Sequence, residues 1–99
     1  MAGESYGFAA PLWRWAARRE AWFFLTVPTD ASEEIAAIPR PPRGFGGVRV
    51  RVRVGGSAWE TSIFPDSRAG AYVLPMRRAV LVAEGIEEGD LVDARIDLL

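Results

Sequence analysis

Two consecutive arginines, Arg77 and Arg78, follow Pro75-Met76 where an apolar pattern at helical spacing begins. Two guanidinium groups beside the exposed N–H groups of a helix start are disposed to take an anion such as phosphate or carboxylate. The macrodipole disfavours cations at that end by about 0.3–1 kcal/mol, a cost that solvent screening also excuses. A second cationic set, Arg49, Arg51 and Arg53, alternates with valine. It can track a phosphate backbone, with Trp13, Trp15 or Trp59 as stacking surfaces. As the outer face of a strand, the same row simply discourages edge pairing.

Catalytic chemistry has little to draw on. The chain has no histidine and no cysteine, and all 12 of its basic residues are arginine. The commonest general base, the thiol nucleophile, the usual zinc and redox ligands and the Schiff-base amine are therefore missing. A serine nucleophile at Ser62 or Ser67 has only carboxylates such as Asp66 to activate it. Asp66 near Ser62, or the Glu87-Glu88-Asp90 cluster, can offer oxygen ligands to a hard cation, but the spacing matches no calcium loop and solvated turns account for it better. Neither a catalytic residue nor a metal or other cofactor is expected.

Four tryptophans and five phenylalanines exceed what 99 residues need for a core. Trp13 and Trp15 share a strand face next to Pro11, and one or both can line an apolar cleft or a partner contact. The candidate ligand-binding set is thus Arg77, Arg78, Trp13, Trp15, Trp59 and Ser62, and the expected function is a non-enzymatic binding module. Its ligand is a small anionic molecule or a protein partner. The alternative is a nucleic-acid-binding barrel, possibly a dimer, although 13 acidic residues and a net charge of −1 argue against a protein built to neutralise phosphates. The chain is expected to be a monomer or a dimer.

The elements that position these residues form one domain over 1–99, with its core at about 6–98. In Val48 to Val54 valine and arginine alternate strictly, so valines line one face of a strand. Gly55-Gly56 then supplies a two-residue turn and Ser57 to Phe64 a second strand. This register sets Val52 opposite Trp59 and Arg51 opposite Glu60, each pair worth about 0.2–1 kcal/mol, and Arg49 opposite Ser62. A one-residue slip would bring Val52 against Glu60.

Tyr6 to Trp15 reads as one strand, at an edge or bulged at Pro11. Ala17-Arg18-Arg19-Glu20 is a turn, and Ala21 to Val27 is a strand so continuously apolar that burial on both faces is expected. Asp30 with Glu33 predicts an N-cap and capping box, with Ala31, Ile35 and Ile38 on one side of the helix. Pro39 to Gly44 is a loop. After a loop over Pro65 to Gly70, Ala71 to Leu74 is a short strand and Pro75 opens a second helix, closed by Gly85-Ile86 as a left-handed cap. A turn at Glu87 to Asp90 leads to a last strand with Val92, Ala94, Ile96 and Leu98 inward. The fold class is mainly β: a small six-stranded, double-split-like β-barrel with two short helices. Without cysteines, a signal peptide or a membrane-length apolar run, a cytoplasmic protein is expected.

The segments Leu12-Trp13-Arg14-Trp15, Ala21 to Pro28, Thr61-Ser62-Ile63-Phe64-Pro65, Tyr72-Val73-Leu74-Pro75, Gly85-Ile86 and Gly89-Asp90-Leu91-Val92 resemble, in order, the bacterial family of domain of unknown function 1905. The resemblance covers about Phe8 to Leu98. It implies a small barrel similar to the double-split barrels of the AbrB and MraZ class, and it implies no activity. The family tends to carry a basic residue after Leu-Pro and an arginine about four positions later. Arg77 and Arg78 match the first, whereas Leu81 stands in place of the second, which weakens an anion site built from both.

Overall fold

The computed structural model describes residues 4–15, 22–39 and 46–99. The expected turn at Ala17 to Glu20 and the loop from Arg40 to Gly44 lie outside the described residues, as do Met1 to Gly3 of the chain start. Among the described residues, seven strands and two helices follow in order: β1 (Ser5–Pro11), β2 (Trp13–Trp15), β3 (Trp22–Thr26), α1 (Thr29–Ala37), β4 (Val48–Val54), β5 (Ser57–Asp66), β6 (Ala71–Met76), α2 (Arg78–Glu84) and β7 (Leu91–Leu98).

The strands pair antiparallel in the order β1-β7-β4-β5-β6-β3-β2 and curl into a half-barrel. The β4–β5 hairpin has the register that its alternation demands, from Val54 opposite Ser57 to Val48 opposite Ile63. Gly55 supplies the positive φ of its turn, at 56°. All four valines of β4 are buried and all three arginines exposed. β7 lies on the other side of β4 and adds Val92, Ala94, Ile96 and Leu98 to the same core. Burying side chains of this size contributes about 1.5–3 kcal/mol each, which holds the register against a slip.

β5 serves two leaves of the sheet. Ser57 to Ile63 pair with β4, and Phe64 to Asp66 pair with β6. The N-terminal strand crosses between the leaves in the same way, but it divides, so there are seven strands rather than six. β1 pairs with β7 as far as Pro11, and β2 pairs with β3 from Trp13. The buried Leu12 between them donates its N–H to Asp90 O (2.9 Å) and accepts the N–H of Gly89 (2.8 Å). Pro11 sits on an edge strand, where its missing donor costs no ladder bond.

Three features depart from the sequence pattern, two of them boundaries. α1 begins at Thr29 with Pro28 in the N-cap position, and no side chain caps it. Asp30 accepts the N–H of its neighbour Ala31 (2.8 Å) instead of forming the expected box. Pro75 belongs to β6, not to a helix start. The bond from Val27 N–H to Tyr72 O sets the alternation of the β3–β6 ladder, which turns the Pro75 nitrogen toward β5. There β5 has already left to pair with β4, so no bond is lost. α2 consequently starts at Arg78, and its C-cap is the expected Gly85 in the left-handed region, with Ile86 N–H returning to Leu81 O (2.9 Å).

The third departure is β3, which is not buried on both faces. Leu25 faces the core and is fully buried, whereas Trp22, on the outer face, is 47% exposed. Ser32 of α1 completes the ladder where β3 and β6 diverge. Its hydroxyl accepts Tyr72 N–H (3.0 Å) and donates to Val27 O (3.1 Å), standing in for the second half of that strand pair. Ser32→Ala leaves both groups buried without a partner and is expected to lower unfolding free energy by about 1–3 kcal/mol. Urea unfolding checks this, and an unchanged midpoint would contradict it.

The hairpin turn is equally specific. A Cβ on Gly55 would collide with Glu84 Oε1, and Glu84 already accepts Gly56 N–H (3.4 Å) and the Ser57 hydroxyl (2.7 Å). Gly55→Ala should therefore cost more than about 1 kcal/mol, through the left-handed backbone and the displaced carboxylate. Gly56→Ala, whose Cβ approaches nothing closer than 3.9 Å, should cost clearly less in the same assay.

Candidate functional site

The outer face of the second leaf, β2-β3-β6-β5, is built from alternate residues that point away from the core. Trp13 pairs across the strands with Phe24, and Trp15 with Trp22. The indole of Trp13 stacks on the ring of Phe24, with centroids 5.0 Å apart and planes inclined by 28°. Trp15 and Trp22 meet edge to face at 5.8 Å and 75°. The indole N–H of Trp13 donates to Thr26 Oγ1 (2.9 Å), which fixes the ring on the sheet. Aromatic pairs in these geometries are worth about 0.5–1.5 kcal/mol beyond their burial.

The turn after β5 rises beside this surface. Asp66 accepts Arg68 N–H at its side chain (3.0 Å) and Gly70 N–H at its carbonyl (2.9 Å), and Gly70 takes a positive φ of 65°. Side-chain and main-chain acceptors on one aspartate hold the turn in a single shape. Between turn and sheet lies an open cleft of about 780 Å³, walled by Trp13, Trp15 and Phe24 on one side and by Asp66, Ser67 and Arg68 on the other. Thr26 and Val73 also line it.

The other residues singled out from the sequence sit elsewhere. Trp59 is on the inner side of β5, packed partly against the core, and its indole N–H is buried with no partner among the described residues. Ser62 lies opposite Arg49 on the outer side of β5. Arg77 precedes α2 and donates from Nη2 to Glu60 O (3.4 Å), and Arg78 is the first helical residue. α2 has only seven residues, too few to gather an anion at its start without other donors. The structure thus brings Trp13 and Trp15 together and leaves the remaining four apart from their cleft. Phe24, Arg68, Thr26 and Val73 were missed. The available sign was the Asp-Ser-Arg-Ala-Gly turn directly after a strand, but nothing in its spacing says which sheet face it overhangs.

On the outer face of the other leaf, the arginine row is interleaved with acids. Glu60 pairs with Arg51 (3.0 Å) and more loosely with Arg49 (3.8 Å). Arg53 lies opposite Arg95, and Arg95 reaches Asp97 at 3.4 Å. Exposed pairs of this kind are worth about 0–1 kcal/mol and fade with salt. On the β1 side, burial and then the charges of Glu34 and Glu4 push the Tyr6 hydroxyl up. Among the described residues no three acidic side chains converge as a metal site would require. The Asp90 carboxylate is turned onto Glu87 N–H (2.8 Å) in its own turn.

A small, mainly β half-barrel with two helices and an aromatic cleft on one outer face is the class of protein these features define. The chain belongs to the family of domain of unknown function DUF1905, whose profile matches residues 8–96. No curated protein matches it. No helix among the described residues is long and apolar enough to cross a membrane.

Asp97 gives this surface a pH dependence. A hydrogen bond from the Ser5 hydroxyl, and to a lesser degree Arg95, hold its carboxyl below the usual aspartate value, with partial burial opposing them. A lowered folded-state value stabilises the fold above the ordinary aspartate value, about 3.9, and the contribution disappears as pH falls through the folded value. The difference in Tm between the parent chain and Asp97→Asn should therefore be largest near neutrality and close as pH falls through the lowered Asp97 value. A difference independent of pH would contradict the assignment.

Proposed function

We propose that this chain is a non-enzymatic binding module that takes a small organic anion in the cleft between Trp13, Trp15, Phe24 and the turn at Asp66 to Ala69. The observation that supports it is the combination of pinned aromatic walls with one guanidinium, Arg68, at the rim of a concave surface. Apolar concavities with a few convergent polar groups are the ordinary form of small-molecule sites. The residue types missing from the chain point the same way, since the commonest nucleophile–base pairs need histidine, cysteine or lysine. A bacterial, cytoplasmic setting is part of the proposal, resting on the family and on the lack of cysteine.

Nucleic-acid binding would draw on Arg49, Arg51, Arg53 and Arg95. Glu60 and Asp97, interleaved among them, weigh against it by cancelling much of the field a phosphate backbone would meet. Retention on single-stranded DNA at low salt that weakens linearly with the logarithm of salt would favour that reading.

The deciding experiment is a titration of the labelled protein with small carboxylates and phosphate esters, followed by the tryptophan indole N–H resonances. Shifts confined to Trp13 and Trp15, with affinity reduced at least about tenfold by Arg68→Ala and unaffected by Arg77→Ala, are the expected result. Saturating shifts centred on Trp59 would move the site away from this cleft. No shift with any anion would turn attention to a protein partner on the exposed Trp15, Trp22 and Phe64.

A further inference from the structure

We infer that the ligand of this cleft is a planar aromatic acid: a flat ring carrying one carboxylate or phosphate. The inference rests on the binding reading above and narrows it to a ligand class. Three observations carry it. The inner wall is made chiefly of rings, namely Trp13, Trp15 and Phe24, with Val73 as the one branched aliphatic chain beside them. Trp13 is held in place by its bond to Thr26 and its stack on Phe24, and Trp15 makes an edge contact with Trp22. The wall is thereby organised before a ligand arrives and loses little side-chain freedom on binding. An aliphatic guest gains only burial against such a wall, whereas a ring also gains quadrupole-matched contact in offset or edge-on geometry.

The opposite wall explains the single anionic group. Among the described residues, Arg68 is the cationic residue lining the cleft, on a turn whose shape Asp66 holds through Arg68 N–H and Gly70 N–H. One guanidinium accommodates one carboxylate or phosphate in a two-pronged contact. A second negative group would lie near the Asp66 carboxylate and be repelled. The hydroxyl of Thr26, having accepted from Trp13, retains its own proton to donate into the cleft, and the Ser67 hydroxyl stands on the turn. These donors suit the oxygens of an acid or a ring carbonyl.

The test compares benzoate with cyclohexanecarboxylate, monoanions of similar size, and sets the larger monoanion 1-naphthoate and the dianion succinate beside them. Benzoate and 1-naphthoate are titrated beside cyclohexanecarboxylate and succinate into the intact chain and into Trp15→Leu, by calorimetry and by the indole N–H resonances. The aromatic acids should bind about fivefold or more tighter than cyclohexanecarboxylate, with 1-naphthoate tightest and succinate weakest. Trp15→Leu, which keeps an apolar side chain at this position, should bring benzoate and cyclohexanecarboxylate close to parity while both stay sensitive to Arg68→Ala. Equal binding of the saturated and aromatic acids by the parent chain would overturn the ligand class and leave the anion-binding reading standing. Tighter binding of succinate would overturn it as well. Failure of every acid to bind, and of phenyl phosphate titrated beside them, would remove both.

Discussion

Everything in this fold depends on one strand serving two sheets. β5 pairs with β4 through Ile63 and with β6 from Phe64, so the ten-residue strand must turn between two leaves without losing its ladder. A buried backbone group without a partner costs as much as a lost hydrogen bond, so each divergence has to be completed by something else. Where β6 loses β5, the residue that faces the gap is Pro75, which has no N–H to leave unpaired. Where β3 and β6 part, the Ser32 hydroxyl stands between Tyr72 N–H and Val27 O. Where β1 passes into β2, Leu12 takes its partners from the Gly89-Asp90 turn. Each split is resolved by a residue whose chemistry suits the bond that is missing.

The split also separates the two outer faces and gives them different characters. The leaf around β4 is covered by charge, with Glu60 and Asp97 set among arginines, so it is well hydrated and contributes little net attraction for either sign. The leaf around β3 is covered by rings. Because β5 leaves the first sheet to reach the second, its final residues and the following turn stand over those rings and turn a flat aromatic face into a cleft. A strand confined to the first leaf would have put Arg68 elsewhere.

Much of this was legible in the residues. Strict alternation in Val48 to Val54, with glycines at the turn, admits one register, since a slip would bury Glu60 against valine. Gly85-Ile86 and the alternate apolar residues of β7 were equally readable, because the local signal and the tertiary demand agree. The signals that misled are those in which two structures share one pattern. Proline is tolerated both in a first helical turn and beside a gap in a sheet, and Pro75 occupies the second. A continuous apolar run marks a strand buried on both faces, but it also marks one whose outer face is an aromatic cleft, and β3 is the latter.

By itself the sequence determined that the chain is mainly β, that β4 and β5 form a hairpin in a single register, that arginines lie outside it, and that histidine-, cysteine- and lysine-based chemistry is excluded. These follow from residue type and from periods of two, which act between near neighbours along the chain. Only the tertiary structure decided that Trp13 and Trp15 meet Arg68 rather than Arg77 and Arg78, and that Ser32 is a structural bridge. Those pairings join residues some 40 to 55 positions apart, and they depend on where β5 bends from one leaf to the other. That bend is set by the packing of both sheets on a common core, which no local pattern of residues encodes.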